Sequence, residues 1–224
     1  MGGRQGQPSE PVRLLAAVPR PQIVQRRLRL TTQRKRQMAR YSARHYGERS
    51  WRLRPRGIVQ HFTGTDSLRD VMQTFRSNAP DSELGELPGG CAHFVIDTDG
   101  SIYQVASLRF RCRHAVGLNH RMIGVEHVGH SDAQVEANAR QWRASLALSA
   151  WLVARLPIGS GDVIGHHESI WSRFHRERYA QWRCQTHDDF HRSTMRRYRR
   201  QLRGIVARYD VVPTHPRWKQ SHCV

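Results

Sequence analysis

Four short apolar runs punctuate the chain, and each carries a titratable side chain. They are Ile58-Val59-Gln60-His61-Phe62, Ala92-His93-Phe94-Val95-Ile96-Asp97, Ile123-Gly124-Val125-Glu126-His127-Val128 and Val163-Ile164-Gly165-His166. Runs of this length, rich in β-branched residues, read as buried strands. An Asp99-Gly100 turn returns a further strand, Ile102 to Val105, and Cys112 to Gly117 forms another short segment. Between the runs, apolar residues fall at helical spacing: Leu68, Val71, Met72 and Phe75; then Val135, Ala139, Trp142, Leu146, Ala150 and Val153; then Met195, Tyr198, Leu202 and Ile205. Thr65 or Asp66 can cap the first helix, and Ser131-Asp132-Ala133-Gln134 opens the second as one continuous element ending before Pro157. Strands alternating with helices predict a layered α/β domain over residues 50–208.

The stretch from Val163 to Asp189 concentrates the chemistry. It delivers His166 at a strand tip and closes on Cys184-Gln185-Thr186-His187-Asp188-Asp189. Imidazoles suit zinc, and a catalytic zinc keeps three protein ligands and one open position. His61, His166 and His187 are the expected ligands, with Asp189 as the alternative third. The chain has 14 histidines, so proximity in sequence alone is weak evidence. His167, His175 and His191 read as bystanders, and His93 or Gln60 as a partner orienting a ligating ring.

Composition narrows the partners. The chain has 224 residues and a net charge of +19, which favours polyanions such as nucleic acid or phosphate-rich polymers. Residues 1–25 read as a disordered basic arm and residues 26–49, dense in arginine and free of acid through Gly47, as a basic helical extension. Residues 209–224 read as a loose tail. No apolar run is long enough to span a membrane, and no secretory h-region follows Met1. The four cysteines lack CxxC spacing, so they do not form a Cys-rich zinc site.

Read in order, the His61 strand, Ala92-His93-Phe94 through Ile102-Tyr103-Gln104, His114-Ala115-Val116-Gly117-Leu118-Asn119, Ile123-Gly124-Val125-Glu126-His127 and Val163-Ile164-Gly165-His166 resemble the type 2 N-acetylmuramoyl-L-alanine amidases. These belong to one superfamily with the peptidoglycan recognition proteins and phage T7 lysozyme, and the resemblance covers about residues 57–200. It implies an α/β fold, which a stricter reading would class α+β: a central mixed, mostly parallel β-sheet flanked by helices, with a zinc cleft at one sheet edge. It implies zinc-dependent hydrolysis of the amide between N-acetylmuramic acid and L-alanine of the stem peptide, with peptidoglycan as partner and the chain acting as a monomer.

The family's third ligand is usually Asp or Cys, two residues after a Lys. Here Gln185-Thr186-His187 stands in that place, which puts Gln185 at a substrate position and His187 in the ligand slot. Glu126 matches the family's catalytic carboxylate and is the expected general base, because a charged side chain in an apolar strand needs a reason. His114 is expected to donate to the oxyanion and Asn119 to face substrate. The alternative tyrosine route is absent, since Ala92 stands before His93-Phe94. If His114 and His187 face one cleft, Cys112 and Cys184 are close enough to bridge. Two other readings compete: a non-catalytic peptidoglycan-binding module, and a basic nucleic-acid binder or nuclease. Nucleic acid is disfavoured, because no zinc-finger or helix-turn-helix pattern and no base-stacking aromatic pattern is present. The substrate places the protein outside the cell or in the wall, and the basic surface would meet anionic wall polymers there. A phage lysin or recycling enzyme would instead start in the cytoplasm.

Overall fold

The structure is a computed structural model and describes residues 17–82, 85–221 and 223. Six strands form one sheet: β1 (Ile23–Gln25), β2 (Gly57–Phe62), β3 (Phe94–Ile96), β4 (Ile102–Gln104), β5 (Met122–His127) and β6 (Val163–Gly165). Their order across the sheet is β1-β4-β3-β5-β2-β6, and only β3 and β4 run antiparallel, through the turn at Gly100. The α/β expectation holds, with a mostly parallel mixed sheet. Helices α1 (Thr32–Tyr46), α2 (Leu68–Ser77), α3 (Asp132–Ala137), α4 (Ala139–Arg155) and α5 (Arg192–Ala207) cover it.

Alternation along the strands sorts the two faces. Ile58, Phe94, Ile96, Ile123, Val125 and Val163 pack in one core with Trp142, Leu146, Tyr198 and Leu202 of α4 and α5. Val59, Met122 and Ile164 pack with Ala115 and Leu118 in a smaller core. A third core joins Val95 to Met38 and Tyr41 of α1 and to Val71, Met72 and Phe75 of α2.

Several boundaries differ from the sequence reading. Helix α2 is capped by Ser67, whose hydroxyl accepts from the Asp70 amide, rather than by Thr65 or Asp66. The single helix expected from Ser131 breaks at Asn138. That side chain accepts from the Gln141 amide and donates to Thr98 O at 2.7 Å, so it starts α4 anew while tying it to the β3–β4 turn. Within the arm expected to be disordered, residues 1–16 lie outside the described residues, but Ile23–Gln25 pairs in parallel with β4 as an edge strand. The basic extension is a helix, yet not merely a solvated one. Arg34 is buried and donates to Phe75 O, Gly89 O and Gly90 O. Gly47 ends the helix at φ 72°, a conformation glycine adopts without strain.

The C-terminal tail is also anchored. The Thr214 amide donates to Ser160 Oγ at 2.9 Å, the Lys219 amide to Trp171 O at 2.9 Å, and Cys184 bonds to Cys223 with Cα atoms 5.2 Å apart. The expected Cys112–Cys184 bridge is therefore not the pairing. Cys112 is a buried thiol whose S–H donates to Ala92 O, deep in the core, whereas Cys184 sits on the outer loop that the tail crosses.

Candidate active site

Strand register assembles the site. In the parallel pair β2–β5, His61 stands opposite Glu126, and in β2–β6, Gln60 stands opposite Gly165, so His166 follows beside His61. His61 and Glu126 thus leave the same sheet face at the carboxyl ends of parallel strands, where open α/β sheets form their crevices. Here that crevice is a cleft of about 480 Å³ lined by His61, Thr63, Phe75, His114, Glu126 and His187, among others.

Three metal-compatible donors converge on its floor: His61, His166 and Asp189, all buried, with ligand atoms within 4.8 Å of one another. Asp189 Oδ2 lies 3.1 Å from His61 Nδ1, and Oδ1 lies 3.0 Å from His166 Nδ1. Asp189 Oδ1 is buried without a hydrogen-bond partner despite that proximity. A buried carboxylate between two imidazole nitrogens, with one oxygen left without a hydrogen bond, fits a divalent cation, and two nitrogens with one carboxylate fit zinc. His187, the expected third ligand, is not in this group. Its ring stacks on His166 with centroids 4.7 Å apart and planes 14° from parallel, on the wall of the cleft. The alternative, Asp189, occupies the place instead.

One glycine, a buried phenylalanine and a carboxylate explain why Asp189 arrives there. A Cβ on Gly165 would collide with Phe190 O, so only glycine lets the loop lie against β6. Phe190 is fully buried against the His127 ring at φ 55°, turning the chain sharply after Asp189. The Asp132 carboxylate accepts the amides of Phe190 and His191 at 2.6 and 2.7 Å. The His167 amide donates to Asp189 O at 2.9 Å. Beneath, Glu168 and Arg199 form a buried two-pronged pair at 2.6 and 2.9 Å that ties α5 to the His166 turn.

His114 has a different place from the one expected. Its Nε2–H donates to Met122 O at 3.3 Å, leaving Nδ1 to accept from His61 Nε2 at 3.0 Å. This relay fixes the His61 tautomer and turns Nδ1 toward Asp189, the partner role that a ligating histidine requires. No ring proton of His114 is left over for an oxyanion in this arrangement. Gly124 admits the His114 ring, since a Cβ there would meet it. Asn119, expected to face substrate, is fully buried, and its Oδ1 accepts both the His114 and Ala115 amides at 2.8 Å. It shapes the His114 loop rather than presenting a free amide. Gln185 lines a neighbouring pocket of about 220 Å³ with Arg113, His114, Trp182 and His187.

His93 does not touch His61. Its Nε2–H donates to Phe110 O at 2.9 Å and its Nδ1 accepts from the Gly124 amide at 3.0 Å. Gln60 supports β2 from the other face, donating to Ser149 Oγ at 3.0 Å and to Tyr198 Oη at 3.3 Å. From that same face His127 Nδ1–H donates to His61 O at 2.8 Å and Nε2 accepts from Ser145. Sequence reasoning had no signal for this Gln60–Ser149–Tyr198–Ser145–His127 chain beyond Ser residues recurring on the buried side of α4.

Electrostatics separate the carboxylates. Burial holds the Glu126 carboxyl well above its usual range, and the Asp189 charge pushes the same way. Glu126 makes no hydrogen bond or ion pair among the described residues and opens onto the cleft. Asp189 sits well below its usual range: burial opposes this, but the two imidazoles beside it, His166 and His61, prevail. Burial and the His166 charge lower His61 to about 4 against the pull of Asp189, so its ring is neutral and able to ligate at neutral pH.

Known proteins agree with this architecture. No curated protein sequence matches the chain. The solved structure of the hydrolase AmiA of Staphylococcus aureus in complex with its ligand is similar over 85% of this chain and 84% of that one, at 17% identity and a TM-score of 0.54, which is a likeness of fold. The endolysin N-acetylmuramoyl-L-alanine amidase LysCS from Clostridium intestinale matches 66% of this chain and 83% of that one, at 23% identity and a TM-score of 0.45. The bumblebee protein PGRP-SA matches 65% and 83%, at 19% identity and a TM-score of 0.45. A family model described as N-acetylmuramoyl-L-alanine amidase matches residues 51–180, from just before β2 through the His166 turn. With more than half its length matched by that model, the chain belongs to the N-acetylmuramoyl-L-alanine amidase family.

Proposed function

We propose that this protein is a zinc hydrolase that cleaves the amide between N-acetylmuramic acid and L-alanine in peptidoglycan. The observation that carries the reading is the convergence of His61, His166 and the orphaned Asp189 oxygen beside a Glu126 that has no partner of its own. His61, His166 and Asp189 would hold the zinc. When bound there, zinc acidifies a water and polarises the scissile carbonyl. Glu126 accepts the proton of the attacking water and returns it to the departing alanine nitrogen, which as an anion would be a poor leaving group. His114 keeps the His61 ring turned, and Asn119 keeps His114 in place. His187 and Phe75 form cleft walls against which the substrate lies.

The same reading covers location and partners. The Cys184–Cys223 disulfide supports an oxidising compartment and hence action at the wall. No helix among the described residues is long and apolar enough to cross a membrane. The net charge of +19 draws the protein toward anionic wall polymers. The test is digestion of purified peptidoglycan followed by mass spectrometry. Stem peptides with a free L-alanine amino terminus and bare N-acetylmuramic acid are the expected products. Zinc binding and sacculus binding without such products would assign the protein to the binding-only class instead.

A further inference from the structure

Beside the cluster on the cleft floor stands another, built from the same two dipeptides. His166-His167 and Asp188-Asp189 each divide their members: His166 and Asp189 belong to the first group, His167 and Asp188 to the second. His191 completes the second, and the three ligand atoms lie within 4.8 Å of one another. The imidazoles of His167 and His191 have centroids 4.6 Å apart. Asp188 Oδ1 lies 2.6 Å from His191 Nε2 and 3.5 Å from His167 Nδ1.

Each member is poised for a cation. His191 Nδ1 faces Asp132 Oδ2 at 3.0 Å, and Asp132 is itself fixed by two backbone amides. The other ring nitrogen, Nε2, faces Asp188 Oδ1. A carboxylate behind the far ring nitrogen is how proteins orient ligating histidines. His167 Nδ1 is buried and has no hydrogen-bond partner. In a chain of net charge +19, Asp188 has no arginine or lysine partner among the described residues. The nearby Arg192 is turned over the rings of Trp171 and Trp218 instead.

We infer that His167, Asp188 and His191 form a second zinc site at the rim of the cleft, distinct from the His61–His166–Asp189 site. Two imidazoles and one carboxylate match the ligand preference of zinc over calcium or magnesium. Because the side chain of Asp188 is 86% exposed, this site is weaker than the buried one and fills after it. The inference does not depend on the amidase activity, only on the donor geometry.

The test is a zinc titration of the chelator-stripped full chain by calorimetry, with bound metal counted by mass spectrometry. The wild type is expected to take up two zinc ions in two resolved steps. His191→Ala and, separately, Asp188→Asn should keep the tight step unchanged and lose the weak one, with circular dichroism confirming the fold. In His61→Ala the tight step should disappear while the weak one remains, which separates failure of this site from failure of the catalytic one. Saturation of the wild type at one zinc, or two zinc ions retained by both His191→Ala and Asp188→Asn, would overturn the inference.

Discussion

Two buried clusters in this molecule are mirror images in composition and opposites in consequence. At the cleft, one carboxylate, Asp189, lies between two imidazoles. In the N-terminal layer, one imidazole, His45 of α1, lies between two carboxylates: Nδ1 is 3.0 Å from Glu177 and Nε2 is 2.8 Å from Glu86. His45 is fully buried, stacked on Tyr41 at 4.0 Å, and both its nitrogens are used. Arg44 also pairs with Glu86. That cluster is closed and satisfied, and it staples α1, which precedes the family-matched segment, to the Glu177 turn inside it. The Asp189 cluster keeps an orphaned oxygen and opens onto a cleft. A satisfied buried charge network holds structure together; one left incomplete at a cleft floor is where a ligand belongs.

The comparison can be broken by mutation. Glu126→Gln should lower turnover about 10²–10⁴-fold while zinc content stays that of the wild type. Near wild-type release of stem peptides by this variant would remove Glu126 from the mechanism. At the closed cluster, His45→Ala removes the buried ring that Glu86 and Glu177 share as partner and should cost about 3–5 kcal/mol in urea unfolding. The folded fraction should still bind zinc at the cleft; loss of tight zinc there would mean that the two clusters are not independent.

Metal removal sharpens the contrast further. If the open cluster needs a cation, zinc at 100–1000 times its Kd should stabilise the wild type by about 2.7–4.1 kcal/mol. Asp189→Ala should be blind to that zinc, and His45→Ala should gain as much from it as the wild type. Equal zinc stabilisation of Asp189→Ala and the wild type would sink the ligand assignment.

The last test concerns pH, and its effect is spread over two and more pH units. Burial lowers both His93 and His127 to about 4, against an ordinary value of 6.5. The unfolded chain therefore binds more protons than the folded one between those values. Stability is fully present above pH 6.5 and falls as pH drops toward 4, by at most about 1.4 kcal/mol per pH unit for each group. His93→Gln can keep both the Phe110 and Gly124 hydrogen bonds without titrating, so its unfolding midpoint should fall less steeply over this range. An unchanged slope would locate the acid sensitivity elsewhere.

Much of this was legible along the chain, for local reasons. The strands around His61, Glu126 and His166 announced themselves by short β-branched runs, and the alternation with helices gave the layered α/β class. What failed to show was anything set by contacts between distant segments. Asn138 broke a helix because it reaches Thr98 across 40 residues. Ile23–Gln25 has strand composition but lies in a Gly-, Pro- and Arg-rich setting, and only β4 made it an edge strand. His114 read as a substrate donor because its sequence position cannot reveal that both its ring nitrogens are committed to Met122 and His61.

The third member of the His61–His166 cluster shows where the division falls. The sequence by itself determined that His61 and His166 each stand at the end of a short apolar strand, because strand-forming runs act over a few residues; that the two meet was an expectation from the family resemblance, met by the parallel pairing of β2 with β6. It also placed His187, Asp188 and Asp189 together in the last polar segment. Which of them would enter the cluster was decided by the tertiary structure alone. Gly165 admits the loop, Phe190 is buried with φ positive, and Asp132 holds its amides. Those constraints come from β6, α3 and the far core at once. Together they turn Asp189 inward and leave the His187 ring stacked against His166, because consecutive residues on a sharply turned loop cannot all face the same point.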